Sequence, residues 1–291
     1  MFGLLNLNKP AGVTSRHVVD QVQRLVRPDK VGHAGTLDPL ARGVLVVGVG
    51  AATRLVEYVQ SQRKTYHAEF LLGRSSTTED IEGDVTLLPD APVPTLFHLQ
   101  QATEKLLGRI SQRPPIFSAL KVDGQRAYTL ARAGEEVELS PRPIDVYSIT
   151  IIEYDYPRLV VDIECGSGTY VRSLGRDLGE SVGNNAVMSA LLRTAIGPFR
   201  LADALDPETL TRSNIAESIL PATLGVSHLP TLQLTGDEAG RIAHGLTIQR
   251  TGLSEIPTEY AATDAAGVLL AILAPRGPET LGPVKCFPRS G

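Results

Sequence analysis

The densest run of chemically capable residues is Gly32-His33-Ala34-Gly35-Thr36-Leu37-Asp38-Pro39-Leu40-Ala41-Arg42-Gly43. Proline disfavours the helical region for the residue before it, so Asp38 is expected on an extended turn. Gly32 and Gly35 allow a close backbone approach to another group. A carboxylate held there has two readings. It can act as a nucleophile or general base. It can also accept hydrogen bonds from the amides of its own turn, the commoner fate of a turn aspartate. Taken alone, the segment favours the second reading.

Three further runs carry chemistry of weaker specificity. Val44-Leu45-Val46-Val47-Gly48-Val49-Gly50-Ala51-Ala52-Thr53 half-matches a dinucleotide-binding fingerprint, and Glu69 lies near the distance expected of a ribose-binding acid. Thr53 stands where the third glycine belongs and no second βαβ unit follows, so a tight strand-to-helix turn is the better reading. Lys64-Thr65-Tyr66 opens an alternating stretch, and Tyr66 reads either as a core aromatic or as a stacking platform for a base. Gly168-Thr169-Tyr170-Val171-Arg172-Ser173-Leu174 starts a helix with arginine close to the exposed N–H groups, an arrangement suited to phosphate or carboxylate. Arg172 and Arg176 fall on a face away from Val171, Leu174 and Leu178, where they could equally pair with Asp177 or Glu180 at the surface. The six histidines show no metal-ligand spacing.

The elements that must position these residues follow from periodicity. Leu4 to Asn8 reads as a strand, and Thr14 or Ser15 can cap a helix carrying Val18, Val19, Val22, Leu25 and Val26. Residues 30–42 read as loop, Val44 to Val49 as a buried strand, and Thr53 to Gln60 as a helix. Thr65 to Leu72 alternates and reads as a strand, residues 73–94 as loop, and Thr95 to Leu107 as a helix. Strands are expected near 136–139, 144–154 and 158–165, and a helix from Thr169. A less regular stretch covers 203–230. An amphipathic helix near Glu238 to His244 and strands near 260–264, 267–274 and 283–287 follow. Helices and strands mix without strict βαβα alternation, which points to an α+β core with a mixed sheet and flanking helices. The expected division is a domain over 1–227 and a small β-rich domain over 228–291.

Composition bounds the function. The chain has 291 residues, 42% hydrophobic and 21% charged, near the globular average. The apolar run Gly43 to Ala52 is far too short to span a bilayer, and the N-terminus lacks the pattern of a signal peptide. Cys165 and Cys286 are expected as reduced thiols of a cytosolic protein. Net charge is −4, which by itself counts against a nucleic-acid partner. The charge is uneven, however. Residues 1–64 hold nine Lys or Arg against four acids, so a local basic surface is compatible with the acidic whole.

Taken in order, five segments carry a resemblance. They are Asn6-Leu7-Asn8-Lys9-Pro10 with Ser15, the run around Asp38, Lys64-Thr65-Tyr66, Pro114-Pro115-Ile116-Phe117-Ser118-Ala119-Leu120-Lys121, and Gly168-Thr169-Tyr170-Val171-Arg172. Together they resemble the TruB family, the tRNA pseudouridine-55 synthases of bacteria, from about residue 2 to 200. The C-terminal region is loosely similar to a PUA-type RNA-binding domain. The resemblance implies a cytoplasmic enzyme, monomeric, that isomerises one uridine in the T-arm loop of tRNA with neither metal nor organic cofactor. It assigns the catalytic aspartate to Asp38, the tyrosine stacking on the target base to Tyr66, and the arginine pairing with the aspartate to Arg172. His33 matches the histidine that occupies the flipped nucleotide's place. Tyr170 and Leu191 match residues lining the uridine pocket, and Lys9 and Asp80 match further positions near the site. Two family basic positions are absent, one beside Gly166 and one at Leu192, which implies a shallower salt dependence of RNA binding. An inactive RNA-binding protein of the same fold and a nucleotide-cofactor enzyme are the rival readings.

Overall fold

The structure, a computed structural model, describes the chain apart from residues 119, 123–124, 133–138, 251–257 and 289–291. Strand β1 (Gly3–Lys9) leads into helix α1 (Ser15–Val26), which Thr14 caps by accepting from the N–H of His17 at 3.1 Å. The valines at 18, 19, 22 and 26 share its buried face. Strand β2 (Val31–His33) lies inside the segment expected as loop and pairs antiparallel with β3 (Arg42–Val49). The helix expected over 53–60 is a 3-10 turn, Gly50–Leu55, followed by α2 (Val56–Ser61). Gly50 has φ +62, and a Cβ there would stand 2.1 Å from the Met1 carbonyl oxygen. That glycine therefore serves a backbone contact, and the half-matched dinucleotide fingerprint dissolves into packing.

Strand β4 (Lys64–Leu72) alternates as its sequence does, burying Lys64, Tyr66, Ala68, Phe70 and Leu72. The stretch expected as loop over 73–94 contains a hairpin of β5 (Arg74–Ser76) and β6 (Val85–Leu87). Helix α3 (Leu96–Lys105), capped by Thr95, precedes β7 (Gly108–Gln112). Then come the small hairpin of β8 (Lys121–Val122) and β9 (Gln125–Arg126), and α4 (Ala127–Arg132). The strand expected near 136–139 falls on 136–138, outside the described residues. Strands β10 (Arg142–Asp155) and β11 (Arg158–Cys165) form a long hairpin that leads to α5 (Val171–Ser181). Strand β12 (Ala186–Ile196) was not expected from periodicity, and short β13 (Phe199–Arg200) follows it. The C-terminal part carries β14 (Thr231–Gln233), α6 (Gly236–Ala243), β15 (Ile248–Gln249), β16 (Tyr260–Thr263), β17 (Leu269–Gly277) and β18 (Thr280–Cys286).

The chain divides into two compact units whose boundaries cross the sequence order. One holds Met1–Pro39, Gly43–Gln62 and Ile196–Gly291; the other holds Leu40–Arg42 and Arg63–Ala195. In the first, β1 pairs with β3 along its whole length, Gly3 opposite Val49 and Lys9 opposite Gly43. Strand β3 is buried on both faces, which explains its unbroken apolar run. Leu45, Val47 and Val49 pack with Leu5, Leu7 and the α1 valines. Val44 and Val46 pack with Leu4, Leu55 and Val59, and that core is completed by Ala261, Leu269, Ile272 and Phe287 from the C-terminal sheet. The sheet runs β14-β16-β17-β18-β15. Its other face covers Ala239 and Ile242 of α6 with Tyr260, Ala262 and Leu273.

In the second unit the strand order is β12-β4-β11-β10-β7. Tyr66 of β4 stands opposite Ile163 of β11. Helix α5 covers the buried face of β4, and Gly175 permits this: a Cβ there would lie 2.2 Å from the Phe70 ring. No helix among the described residues is long and apolar enough to cross a membrane. Mixed helix and sheet in both units make this an α+β protein.

Candidate active site

The turn bearing Asp38 is pinned from two sides within the first unit. Lys9 ends β1 fully buried, at 0% exposure. Its ammonium donates to the carbonyls of Val13 at 2.6 Å, Pro10 at 2.9 Å and Pro39 at 3.3 Å. The Gly12 N–H donates to the same Pro39 oxygen at 2.8 Å. On the other side of Asp38, the Ser15 hydroxyl donates to the Leu37 carbonyl at 3.0 Å and accepts from the Leu37 N–H at 2.8 Å. Thr14 and Ser15, interchangeable as caps in the sequence, thus have separate work: Thr14 caps α1 and Ser15 clamps the turn. Asp38 itself is partly exposed. His33, at the end of β2, is also partly exposed and lies opposite Val47.

In the second unit the other predicted residues come from β4, β12, α5 and the hairpin after β4. Tyr66 and Leu191 are buried on adjacent strands. Arg172 is only 6% exposed. Its guanidinium donates to the carbonyls of Thr78 at 2.7 Å and Phe117 at 3.1 Å, and it meets the Asp80 carboxylate at 3.4 Å. Asp80 also accepts from Thr78 Oγ1 at 2.5 Å and from the Glu82 N–H at 3.1 Å. A surface position for Arg172, open in the sequence, is thereby corrected: segments 78–80 and 113–117 close over that face of α5 and meet the guanidinium with oxygen. Arg176 does pair with Asp177, at 2.7 Å, and also with Glu79.

Tyr170 ends the loop before α5 and is partly exposed. Its main chain is held by Gln112, whose amide oxygen accepts from the Tyr170 N–H at 2.9 Å and whose amide nitrogen donates to the Tyr170 carbonyl at 3.1 Å. Gln112 and Glu79 were both missed in the sequence, where nothing in local pattern sets them apart. A buried cationic pair was missed too. Lys64 shares the buried face of β4 with Tyr66, and Arg193 shares the buried face of β12 with Leu191. Burial, reinforced by repulsion from Arg193, pushes the Lys64 ammonium down to about 8, while burial pushes the nearby Cys165 thiol up to about 11.

Asp38, Lys9 and His33 thus belong to one unit, and Tyr66, Asp80, Tyr170, Arg172 and Leu191 to the other. Chemically, the first offers a carboxylate on a rigid turn. The second offers an aromatic ring, an apolar side chain and a guanidinium held by oxygens of Thr78, Phe117 and Asp80.

Residues 23–171 match the family model described as TruB family pseudouridylate synthase, N-terminal domain. The tRNA pseudouridine synthase B of Dehalococcoides mccartyi is 40% identical over 291 residues, covering 99% of this chain and 97% of that protein. The tRNA pseudouridine synthase B of Corynebacterium aurimucosum is 42% identical over 279 residues, covering 94% and 93% respectively. Among solved structures, a chain of a Cbf5-Nop10-Gar1 complex superposes with a TM-score of 0.75 at 26% identity, covering 99% of this chain and 86% of that one. With the family model spanning more than half of its residues and relatives matching nearly its whole length, the chain belongs to the TruB family of pseudouridylate synthases.

Proposed function

We propose that this chain converts the uridine at position 55, in the T-arm loop of tRNA, to pseudouridine, acting as a cytoplasmic monomer without metal or organic cofactor. The observation that carries the catalytic assignment is the anchoring of the Asp38 turn by Lys9 and Ser15. A reacting group needs a fixed direction, and these two buried side chains supply one. The uridine leaves its stack, which is base flipping, and His33 takes its place. Tyr66 stacks on the uracil ring, with Leu191 and Tyr170 lining the pocket. The N1–C1′ bond breaks, uracil turns over, and C5 bonds to C1′. The proton on C5 is lost to solvent and N1 gains one, so the reaction is an isomerisation. Asp38 supplies the carboxylate for the step at the sugar or the base. Arg172, held by Asp80, supplies a fixed positive charge that needs no reorganisation during reaction. Residues 228–291 are the domain that helps hold the tRNA.

The test is Asp38→Asn, assayed by single-turnover release of tritium from C5 of the T-arm uridine. The amide is nearly isosteric and a poor nucleophile, so turnover should vanish while melting temperature and tRNA affinity persist, since phosphate contacts supply most of the affinity. A stable Asp38→Asn protein with a near wild-type rate would falsify the assignment. Mapping pseudouridines in total tRNA with and without the protein tests the position.

A further inference from the structure

Glu79 has φ +63, a left-handed conformation uncommon for a residue with a side chain and free of strain only for glycine. Helix α5 holds it there. Its carboxylate accepts from the Ser173 hydroxyl at 2.6 Å and from the Arg176 guanidinium. Its carbonyl accepts from the Met188 N–H at 3.0 Å, and the Ile81 N–H returns a bond to Met188 at 3.1 Å. Arg176 is anchored in turn by Asp177 and by the Arg113 carbonyl at 2.8 Å. One turn earlier on α5, Arg172 repeats the pattern, reaching Asp80 and the Phe117 carbonyl. Two arginines one helical turn apart therefore grip the adjacent acids Glu79 and Asp80, and each also grips one end of segment 113–117. The left-handed residue reverses the chain between Thr78 and Asp80, so that the Thr78 carbonyl and the Asp80 carboxylate both reach Arg172.

We propose that Glu79 is a positioning residue for Arg172: clamped by Ser173 and Arg176, it holds the 78–80 turn in the one shape that aims the guanidinium. This rests on the assignment of Arg172 to the catalytic machinery above. Glu79 does not reach the substrate; it acts through the turn. A charged clamp in a partly buried site resists the loss of either partner, so the strained backbone and the aimed arginine persist together.

The experiment compares Glu79→Ala, Glu79→Gln, Glu79→Gly and Arg172→Lys, and the double variant Glu79→Ala/Arg172→Lys. Readouts are single-turnover rate at saturating tRNA, tRNA affinity and melting temperature. Glu79→Ala is expected to lose roughly 10- to 100-fold in rate, the scale of a misplaced catalytic group. Its tRNA affinity should stay within about twofold, because phosphate contacts dominate binding. Glu79→Gln keeps the bond from Ser173 and recovers most of the rate. Glu79→Gly relieves the left-handed strain, so it folds even where Glu79→Ala does not, and it loses rate to the same degree. In the Arg172→Lys background Glu79→Ala brings no further loss, since the fork it aims is already gone. A wild-type rate in folded Glu79→Gly, or a full further loss in the double variant, overturns the positioning role. A wild-type rate in Arg172→Lys instead overturns the assignment of Arg172, a result read on that residue alone.

Discussion

Replacing Ser15 with alanine separates the positioning of Asp38 from the stability of the helix that starts beside it. Ser15 is buried, and its hydroxyl is hydrogen-bonded to both main-chain groups of Leu37, at 2.8 and 3.0 Å. Leu37 is itself buried, so losing the hydroxyl leaves one N–H and one C=O without that partner inside the protein. Each such orphan costs about 1–3 kcal/mol. Alanine is the better helix former by a few tenths of a kcal/mol, which offsets a little. The net destabilisation is therefore about 1.5–5.5 kcal/mol, which most domains in the typical stability range of about 5–15 kcal/mol survive. Thr14→Ala is the control. It removes the cap bond to His17 and costs about 1 kcal/mol, yet leaves the Asp38 turn untouched. Urea unfolding with an unchanged m-value measures the first quantity, and single-turnover tritium release measures the second. Ser15→Ala should lose roughly 10- to 100-fold in rate through misdirection of the carboxylate, whereas Thr14→Ala keeps the wild-type rate. If Ser15→Ala is no less stable than Thr14→Ala and turns over normally, the clamp has no part in catalysis and the reasoning fails.

Three further outcomes follow from the packing and the buried charges. Folded Lys64 keeps its proton only below about 8, against an ordinary lysine value of 10.5, so between those values the unfolded chain binds more protons and stability rises with pH. Cys165 opposes this, its thiol staying protonated to about 11 against 9 when unfolded, so its contribution falls over that range. Relative to Lys64→Met, the wild type should thus gain about 3 kcal/mol between pH 7 and 11; a pH-independent difference in denaturant midpoint would refute the burial of that charge. Gly175→Ala drives a Cβ to 2.2 Å from the Phe70 ring and should lower stability by about 1–3 kcal/mol, with an unchanged melting temperature as the contrary result. Deleting 228–291 removes Leu269, Ile272 and Phe287 from the core that also holds Leu4, Val44 and Val46. At about 1.5–3 kcal/mol for each of these three large side chains, the loss is about 4.5–9 kcal/mol. It also removes Arg54's bond to the Cys286 carbonyl at 2.7 Å and its contact with the Phe287 ring. Fragment 1–227 should bind a hydrophobic dye and lack a cooperative melt, and a wild-type melting curve would contradict the shared core.

Where one local force decides, the sequence was enough. The valine spacing of α1, the alternation of β4 and the apolar runs of β3 and β11 each reflect one buried face or two, and each element formed within a few residues of its expected bounds. The family resemblance, and not the local pattern, singled out Asp38 and Arg172, since the residues around each, taken alone, left an ordinary structural reading open. Strand β12 was invisible because its buried face carries Arg193, a charge where periodicity looks for an apolar residue. The hairpin in 73–94 and the left-handed turn at Glu79 are polar segments whose shape comes from partners about a hundred residues away, Ser173 and Arg176 on α5. The tertiary structure alone decided which of Thr14 and Ser15 is the cap, that Arg172 is buried, and that the last strands complete the core of the first. These are questions of which buried polar group meets which partner, and of which apolar faces meet. Such pairings depend on distance in space, and neither composition nor periodicity carries that information.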